Sequence, residues 1–347
     1  MYNCRLPEPG RKPGGVDVFV HRVAKALVER GHEVTILSYV SDSVERPYAV
    51  RTIRPASGYG SRTVRKYIGP WFFNARDLSE FDVFHLHGDD WFYLRRRVPT
   101  VRTFYGSALF ESLTATSTKR RVDQALGFVL ELLSARLATA CYGIGTDSRA
   151  IYQADGVLAC GIEAPAVAPH RSAQPLIAFI GTWAGRKRGS LLHEIFQREV
   201  LPQIPDARLT MVSDYCEPGP NVTWLRHPSD AEITDLLLSA WAFCLPSTYE
   251  GLGLPYLEAM SCGTAVVASP NPGAEDLLRP ASSGLVVEDD SLGSTLVSVI
   301  RSDDIRRRLS EAGRRRAGDF TWDRVGAEYE RAYALAIQRW GQRSARP

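Results

Sequence analysis

The stretch LPSTYEGLGLPYLEAMSCGTAVVAS, Leu245 to Ser269, runs from the end of an apolar strand through a glycine turn into a helix and on to a second apolar strand. Gly251 and Gly253 let the backbone come close to a ligand, and Pro255 suits the first helical position, where its missing N–H would go unpaired anyway. The free N–H groups of Leu252, Gly253 and Leu254, with the helix dipole behind them, then make a site for an anion such as a phosphate. Two carboxylates bracket the turn. Glu258, on the first helical turn, can accept hydrogen bonds from vicinal ribose hydroxyls as the acidic residue of dinucleotide folds does, and Glu250 in the loop can reach the sugar side of a diphosphate. Taken singly, Glu258 would be a surface carboxylate at a helix start and Glu250 a loop charge. Their joint placement around the glycines favours the ligand reading.

The strand-to-helix pattern recurs on both sides. Apolar runs at 33–39, 82–86, 98–104, 142–145 and 157–160, then at 176–181, 208–212, 222–225, 242–245, 265–268 and 285–287, alternate with longer helical patterns. That alternation predicts βα units around parallel sheets, and 347 residues exceed what one core usually supports, so two α/β domains are expected. Glu163 to Pro175, rich in Pro and Ala and without periodicity, reads as the connector. The expected division is an N-terminal domain over 1–168, a C-terminal domain over 169–321, a helix over 322–340 and a tail over 341–347. Val325, Tyr329, Tyr333 and Ile337 give that last helix one apolar face. Only Met1 to Leu6 precede the loop-like Pro7-Glu8-Pro9-Gly10, so the first strand is either very short or continued by residues upstream of Met1.

Composition narrows the class. Apolar residues make up 44% and charged residues 23%, the balance of a soluble globular chain. No window holds the roughly 18 to 20 apolar residues of a membrane span, and Met1 to Arg11 lacks a signal-peptide core, so residence in the cytoplasm is expected. The six cysteines, Cys4, Cys141, Cys160, Cys216, Cys244 and Cys262, form no C-x-x-C pair and predict neither disulfide nor structural metal. A net charge of +3 does not suggest a nucleic-acid partner, although residues 1–170 hold 22 Lys+Arg against 17 Asp+Glu. SRTVRKYIGPWFF, residues 61–73, mixes basic and aromatic side chains as membrane-surface segments do; ordinary packing is the simpler reading, and peripheral contact with the inner face of the cell membrane stays open. His85 and His87 read as strand-end histidines, Asp89-Asp90 as no metal motif, and the Arg triplets at 306–308 and 314–316 as solvated helix faces.

EGLGLPYLEA, residues 250–259, resembles the Glu-x7-Glu signature of the retaining glycosyltransferases of family 4. The resemblance continues through Gly14-Gly15 before an amphipathic helix, Gly31-His32-Glu33-Val34, and Phe179-Ile180-Gly181, covering about residues 14–337. It implies a GT-B fold, two Rossmann-like parallel-sheet domains facing across a cleft, and transfer of a sugar from a nucleoside diphosphate sugar to an acceptor hydroxyl with retention and without a metal. The donor is a substrate, so no separate cofactor is implied. The acceptor, a saccharide, a lipid-linked glycan or a small metabolite, is left open.

The same resemblance implies roles for further residues. Gly14 and Gly15, at a helix N-terminus, and the basic loop Arg186-Lys187-Arg188 would hold the diphosphate; among only five lysines beside 37 arginines, Lys187 is conspicuous. The Arg that this family carries next to the glycine is here Thr182, and the family His after V-x-T is here Tyr105, a hydrogen-bonding residue but a poor proton shuttle at neutral pH. Glu250 and Tyr105 would face the sugar, and the base would lie near Leu225 and Arg226. These departures keep a non-catalytic nucleotide-sugar-binding subunit as a rival; a GT-B sugar-nucleotide epimerase and a two-carboxylate glycosidase fit the glycine turn less well.

Overall fold

The computed structural model describes residues 1–7, 14–39, 44–53, 69–113 and 117–344; the Glu8-Pro9-Gly10 part of the first loop and residues 61–68 of the basic aromatic stretch lie outside them. The chain divides into two compact units, Met1–Gly161 with Trp322–Pro347, and Ile162–Thr321, so the division falls at Gly161 rather than at 168. Both are built from parallel strands alternating with helices.

The first unit orders its strands as β1 (Thr35–Ser38) beside β2 (Ala49–Thr52), and β3 (Phe84–Leu86), β4 (Thr100–Phe104), β5 (Ala140–Gly143) and β6 (Gly156–Val157), all parallel. Tyr2 bridges the two groups, pairing with Leu37 of β1 and Leu86 of β3. Its N–H donates to His85 O at 2.8 Å and its own carbonyl accepts from His87 N at 3.1 Å. The first strand is thus a one-residue bridge in mid-sheet, with Tyr2 fully buried among Phe73, Phe84 and Leu86. Helices α1 (Gly15–Glu29), α2 (Ala108–Leu113), α3 (Thr118–Leu137), α4 (Thr146–Tyr152) and α11 (Trp322–Ser344) complete this unit. The last helix runs to Ser344, past the expected stop at 340, because Gln342 and Arg343 are good helix formers and one Gly341 does not end it.

The second unit has one six-stranded parallel sheet in the order β12-β11-β10-β7-β8-β9, where β7 is Leu176–Ile180, β8 Arg208–Val212, β9 Val222–Leu225, β10 Ala242–Leu245, β11 Ala265–Ala268 and β12 Leu285–Val286. Strand β10 is entirely buried and β11 likewise, the continuous apolar run expected of a parallel sheet covered on both faces. Its helices are α5 (Gly189–Ile195), α6 (Asp230–Ser239), α7 (Leu254–Ser261), α8 (Pro272–Leu278), α9 (Leu292–Arg301) and α10 (Asp303–Ala317). The chain runs outward from β7 to β9 on one side, then returns to start β10 on the other. The strand order therefore reverses between β7 and β10, and in open α/β sheets ligands bind outside the carboxyl ends of the strands at that point.

Candidate active site

Two loops leave the sheet at the reversal: residues 181–188 after β7 and residues 246–253 after β10. They are stitched together by the Arg186 carbonyl, which accepts from Thr248 N at 2.8 Å. Helix α7 starts one residue before the expected Pro255, at Leu254, with Gly253 as its N-cap at φ +78°. That left-handed conformation suits glycine, and a Cβ there would collide with the Tyr256 ring. The N–H groups of Leu252, Gly253 and Leu254 take no hydrogen bond among the described residues, and they stand at the helix start with the dipole behind them.

Glu250 is buried beside this turn. Its Oε1 lies 2.6 Å from Lys187 Nζ and 3.0 Å from an Arg186 guanidinium nitrogen, and accepts from Ser247 Oγ at 2.6 Å. Burial pushes the carboxyl up, but the charges of Lys187 and Arg186 outweigh it and hold it below the usual carboxylate range. Burial draws Lys187 down, opposed chiefly by Glu250 and also by Glu258, whose carboxylate is near enough to act on it. Lys187, Arg186, Glu250, Glu258 and the three amides are thereby gathered at one place.

Other expected residues stand elsewhere. Arg188, expected on the diphosphate, makes a two-pronged pair with Asp289 at 2.5 and 2.8 Å, while its Nε donates to Pro246 O at 2.5 Å. Asp289 in turn accepts from Ser269 Oγ at 2.8 Å, so Arg188 ties the loop to the start of the segment after β12. Arg226 is exposed just beyond the edge strand β9. Near it runs an aromatic row that the sequence did not announce: Trp183 edge-on to Tyr215 at 5.4 Å, and Tyr215 to Trp224 at 6.3 Å, the latter two with exposed faces. Asn271, also unanticipated, is buried behind the turn. It caps α8 through Ala274 N and donates to Ser247 O, Ser269 O and Tyr256 Oη, fixing three segments at once.

In the first unit, Gly14 is the N-cap of α1 and Gly15 its first residue; Asp17 accepts from Gly14 N at 3.0 Å, and a Cβ on Gly15 would meet no atom within 4 Å. Tyr105 packs edge-on to Phe19, and its hydroxyl is 2.6 Å from His87 Nδ1. His87 stacks on His85 at 3.8 Å, and His85 reaches Tyr333 Oη at 2.9 Å and Thr103 Oγ1 at 2.8 Å. Burial, with nearby positive charge, holds both imidazoles well below their ordinary pKa and therefore neutral. The histidines form a buried stacked pair, His85 hydrogen-bonded to Tyr333 and Thr103 and His87 to the Tyr105 hydroxyl. Asp90 is the fully buried centre of an ion cluster, 2.7 Å from Arg96 and 2.9 Å from Arg102. Among the described residues no three His, Cys, Asp or Glu side chains are grouped so as to hold a metal ion.

The sequence profile described as "Glycosyl transferases group 1" matches residues 163–316, and that described as "Glycosyltransferase Family 4" matches residues 13–159. The chain is a GT-B glycosyltransferase. The glycosyltransferase is 25% identical over 363 residues to the phosphatidyl-myo-inositol mannosyltransferase of Mycobacterium leprae, covering 92% of this chain and 93% of that one. A shorter match, 39% identical over 116 residues, links it to the MMP alpha-(1->4)-mannosyltransferase of Mycolicibacterium hassiacum; it spans 32% of this chain and 28% of that relative. In fold the glycosyltransferase is similar to sucrose-phosphate synthase from Thermosynechococcus elongatus, with a TM-score of 0.79 at 19% identity and 94% of each chain covered.

Proposed function

We propose that the protein transfers a glycosyl unit from a nucleoside diphosphate sugar to an acceptor hydroxyl, with retention at the anomeric carbon and without a metal ion or other cofactor. The observation that carries this reading is the buried Lys187–Glu250 pair, 2.6 Å apart, beside unbonded amides at the topological reversal. In this reading an arriving diphosphate takes Lys187 and Arg186 as counter-ions, together with the amides of Leu252, Gly253 and Leu254. Fixed donors of this kind stabilise charge developing on the leaving group as the carbon–oxygen bond breaks. Glu250, released from part of its pairing, turns to the sugar hydroxyls, and Glu258 accepts from the ribose. Arg226 and the aromatic row Trp183, Tyr215 and Trp224 offer the base a neighbourhood.

The relatives named as mannosyltransferases make nucleoside diphosphate mannose the first donor to try, and the phosphatidylinositol relative makes a lipid-linked hydroxyl the first acceptor. Lys187→Met is expected to lower kcat/KM by about 10²–10³-fold, the scale of losing one fixed charge stabiliser. Product anomeric configuration, followed by proton NMR from the first turnover, tests retention. An inverted first product contradicts the mechanism, and undiminished kcat/KM in Lys187→Met contradicts the role of the pair.

A further inference from the structure

Asn271-Pro272-Gly273, between β11 and the first turn of α8, backs onto the loop that carries Glu250. Asn271 is buried, and its side-chain amide has one accepting and one donating end. Oδ1 accepts from Ala274 N at 3.0 Å and so caps the helix. Nδ2 donates to Ser247 O at 3.1 Å, to Tyr256 Oη at 3.1 Å and to Ser269 O at 2.9 Å. Ser247 and Tyr256 flank Glu250 in sequence, so the amide grips the segment on both sides of that carboxylate. Gly273 N donates to the Glu250 carbonyl at 2.8 Å. A Cβ on Gly273 would stand 2.9 Å from Glu250 Cβ and 3.0 Å from both Glu250 O and Leu252 C. The loop backbone is thus bonded and packed from behind, with no room for a side chain at 273.

What this backing fixes is the carboxylate in front of it. Ser247, whose carbonyl Asn271 holds, donates its hydroxyl to Glu250 Oε1 at 2.6 Å, and the same oxygen accepts from Lys187 Nζ at 2.6 Å. Tyr256 in turn donates to Leu245 O at 3.1 Å and packs its ring against Gly253, the N-cap of α7. Capping α8 needs only the accepting end, which serine or aspartate would supply equally well. Serine would leave the buried Ser247 and Ser269 carbonyls without their donor, and aspartate would set a carboxylate against them. Asparagine is the residue that serves both the cap and the loop. We infer that Asn271 and Gly273 are positioning residues for sugar transfer: they hold the 246–253 loop so that Glu250 stays on Lys187 beside the amides of the turn. The inference rests on the donor reading above, in which Lys187 takes the diphosphate. Groups held by packing and by hydrogen bonds from behind keep the geometry that a reacting centre needs.

The test reads Lys187 directly in the full chain, as the pH at which its amine becomes reactive toward acetic anhydride, followed by mass spectrometry of the peptide that carries it. Glu250→Gln removes the charge that chiefly supports the ammonium and is expected to move that profile to lower pH. Asn271→Ser keeps a helix cap but loses the amide donors, and Gly273→Ala suits the helix while pushing on Glu250. Each is expected to move the profile in the same direction, and neither to move it further when combined with Glu250→Gln, because both act through that carboxylate. A role confined to holding the fold would lower Tm and leave the profile in place. Profiles of Asn271→Ser and Gly273→Ala that superimpose on wild type, or shifts that add in full to that of Glu250→Gln, would overturn the inference. A profile that Glu250→Gln also leaves unmoved would remove the support of Lys187 by Glu250, and the inference with it. The labelling uses no nucleotide, so its outcome is separate from that of the donor reading, which is decided by nucleotide binding.

Discussion

At Lys187 and Glu250 each side chain sets the other's ionisation. Lys187 has lost hydration to burial and is kept protonated chiefly by Glu250. Removing the carboxylate in Glu250→Gln leaves the ammonium with less support, so its pKa falls further, and the alkaline limb of nucleotide binding is expected to move to lower pH. A binding profile from pH 6 to 10 on both proteins shows the shift; superimposable limbs would mean that Lys187 does not hold the phosphate. The acid side has the opposite origin. Glu250 is held below its ordinary 4.5, so its stabilising contribution is complete above that value and is lost as pH falls through the lowered one. The two carboxylates and the lysine were legible in the sequence because chemistry and glycine spacing coincide there. Arg188 was not: its partner Asp289 lies 101 residues away, and local spacing says nothing about so distant a pairing. Asn271 escaped notice for a similar reason, since its buried contacts reach Ser247 and Tyr256 across two loops.

Among the elements, α11 shows how the first unit recovers the end of the chain. Trp322 opens the helix against Gly161, where a Cβ would collide with the indole. Gly161→Ala is expected to destabilise this unit by about 1–3 kcal/mol, the usual cost of overpacking, with a change in tryptophan fluorescence at low denaturant. Unchanged fluorescence and an unchanged midpoint would mean that the close approach is dispensable. Further along, Glu330 pairs with Arg30 at 2.8 Å and with His32 at 3.1 Å, and the hydrogen bonds from Arg30 and then His32 hold its carboxyl down at about 2. A depressed carboxyl contributes stability above its ordinary 4.5 that disappears as pH falls toward about 2. Glu330→Gln should therefore be less stable than wild type at pH 7 and approach it across that window in acid denaturation; a gap that persisted at pH 2 would assign the effect to packing. The strand positions were readable from apolar runs. Strand β2 was the exception, because Ala49–Thr52 contains Arg51, mixes exposed and buried residues and lacks the continuous apolar run of its neighbours. The exposed row Val122, Leu126, Val129 and Leu133 on α3 was hidden too, since such a stripe looks like core until Phe128, Leu132 and Ala135 on another side of the helix are seen to supply it.

For the molecule as a whole, the fold assigns work to two units with different resources. The second unit brings cations, carboxylates and helix amides to the reversal of its sheet, while the first carries the neutral, stacked His85–His87 pair beside the Tyr105 hydroxyl and the exposed row Val122, Leu126, Val129 and Leu133 on α3. The reaction class follows from the former, but the identities of sugar and acceptor reside in surface contacts that vary on a shared scaffold, which is why sequence pattern was informative about one and silent on the other. Binding of the nucleoside diphosphate at the reversal in the second unit is measured by a thermal-shift panel of UDP, GDP, ADP, dTDP and CDP on wild type and Glu258→Ala. Binding at a hundred times Kd adds about 2.7 kcal/mol to the folded state, so one nucleotide is expected to raise the wild-type Tm by several degrees and to raise that of Glu258→Ala by much less. No shift with any of the five, or an equal shift in both proteins, would contradict it.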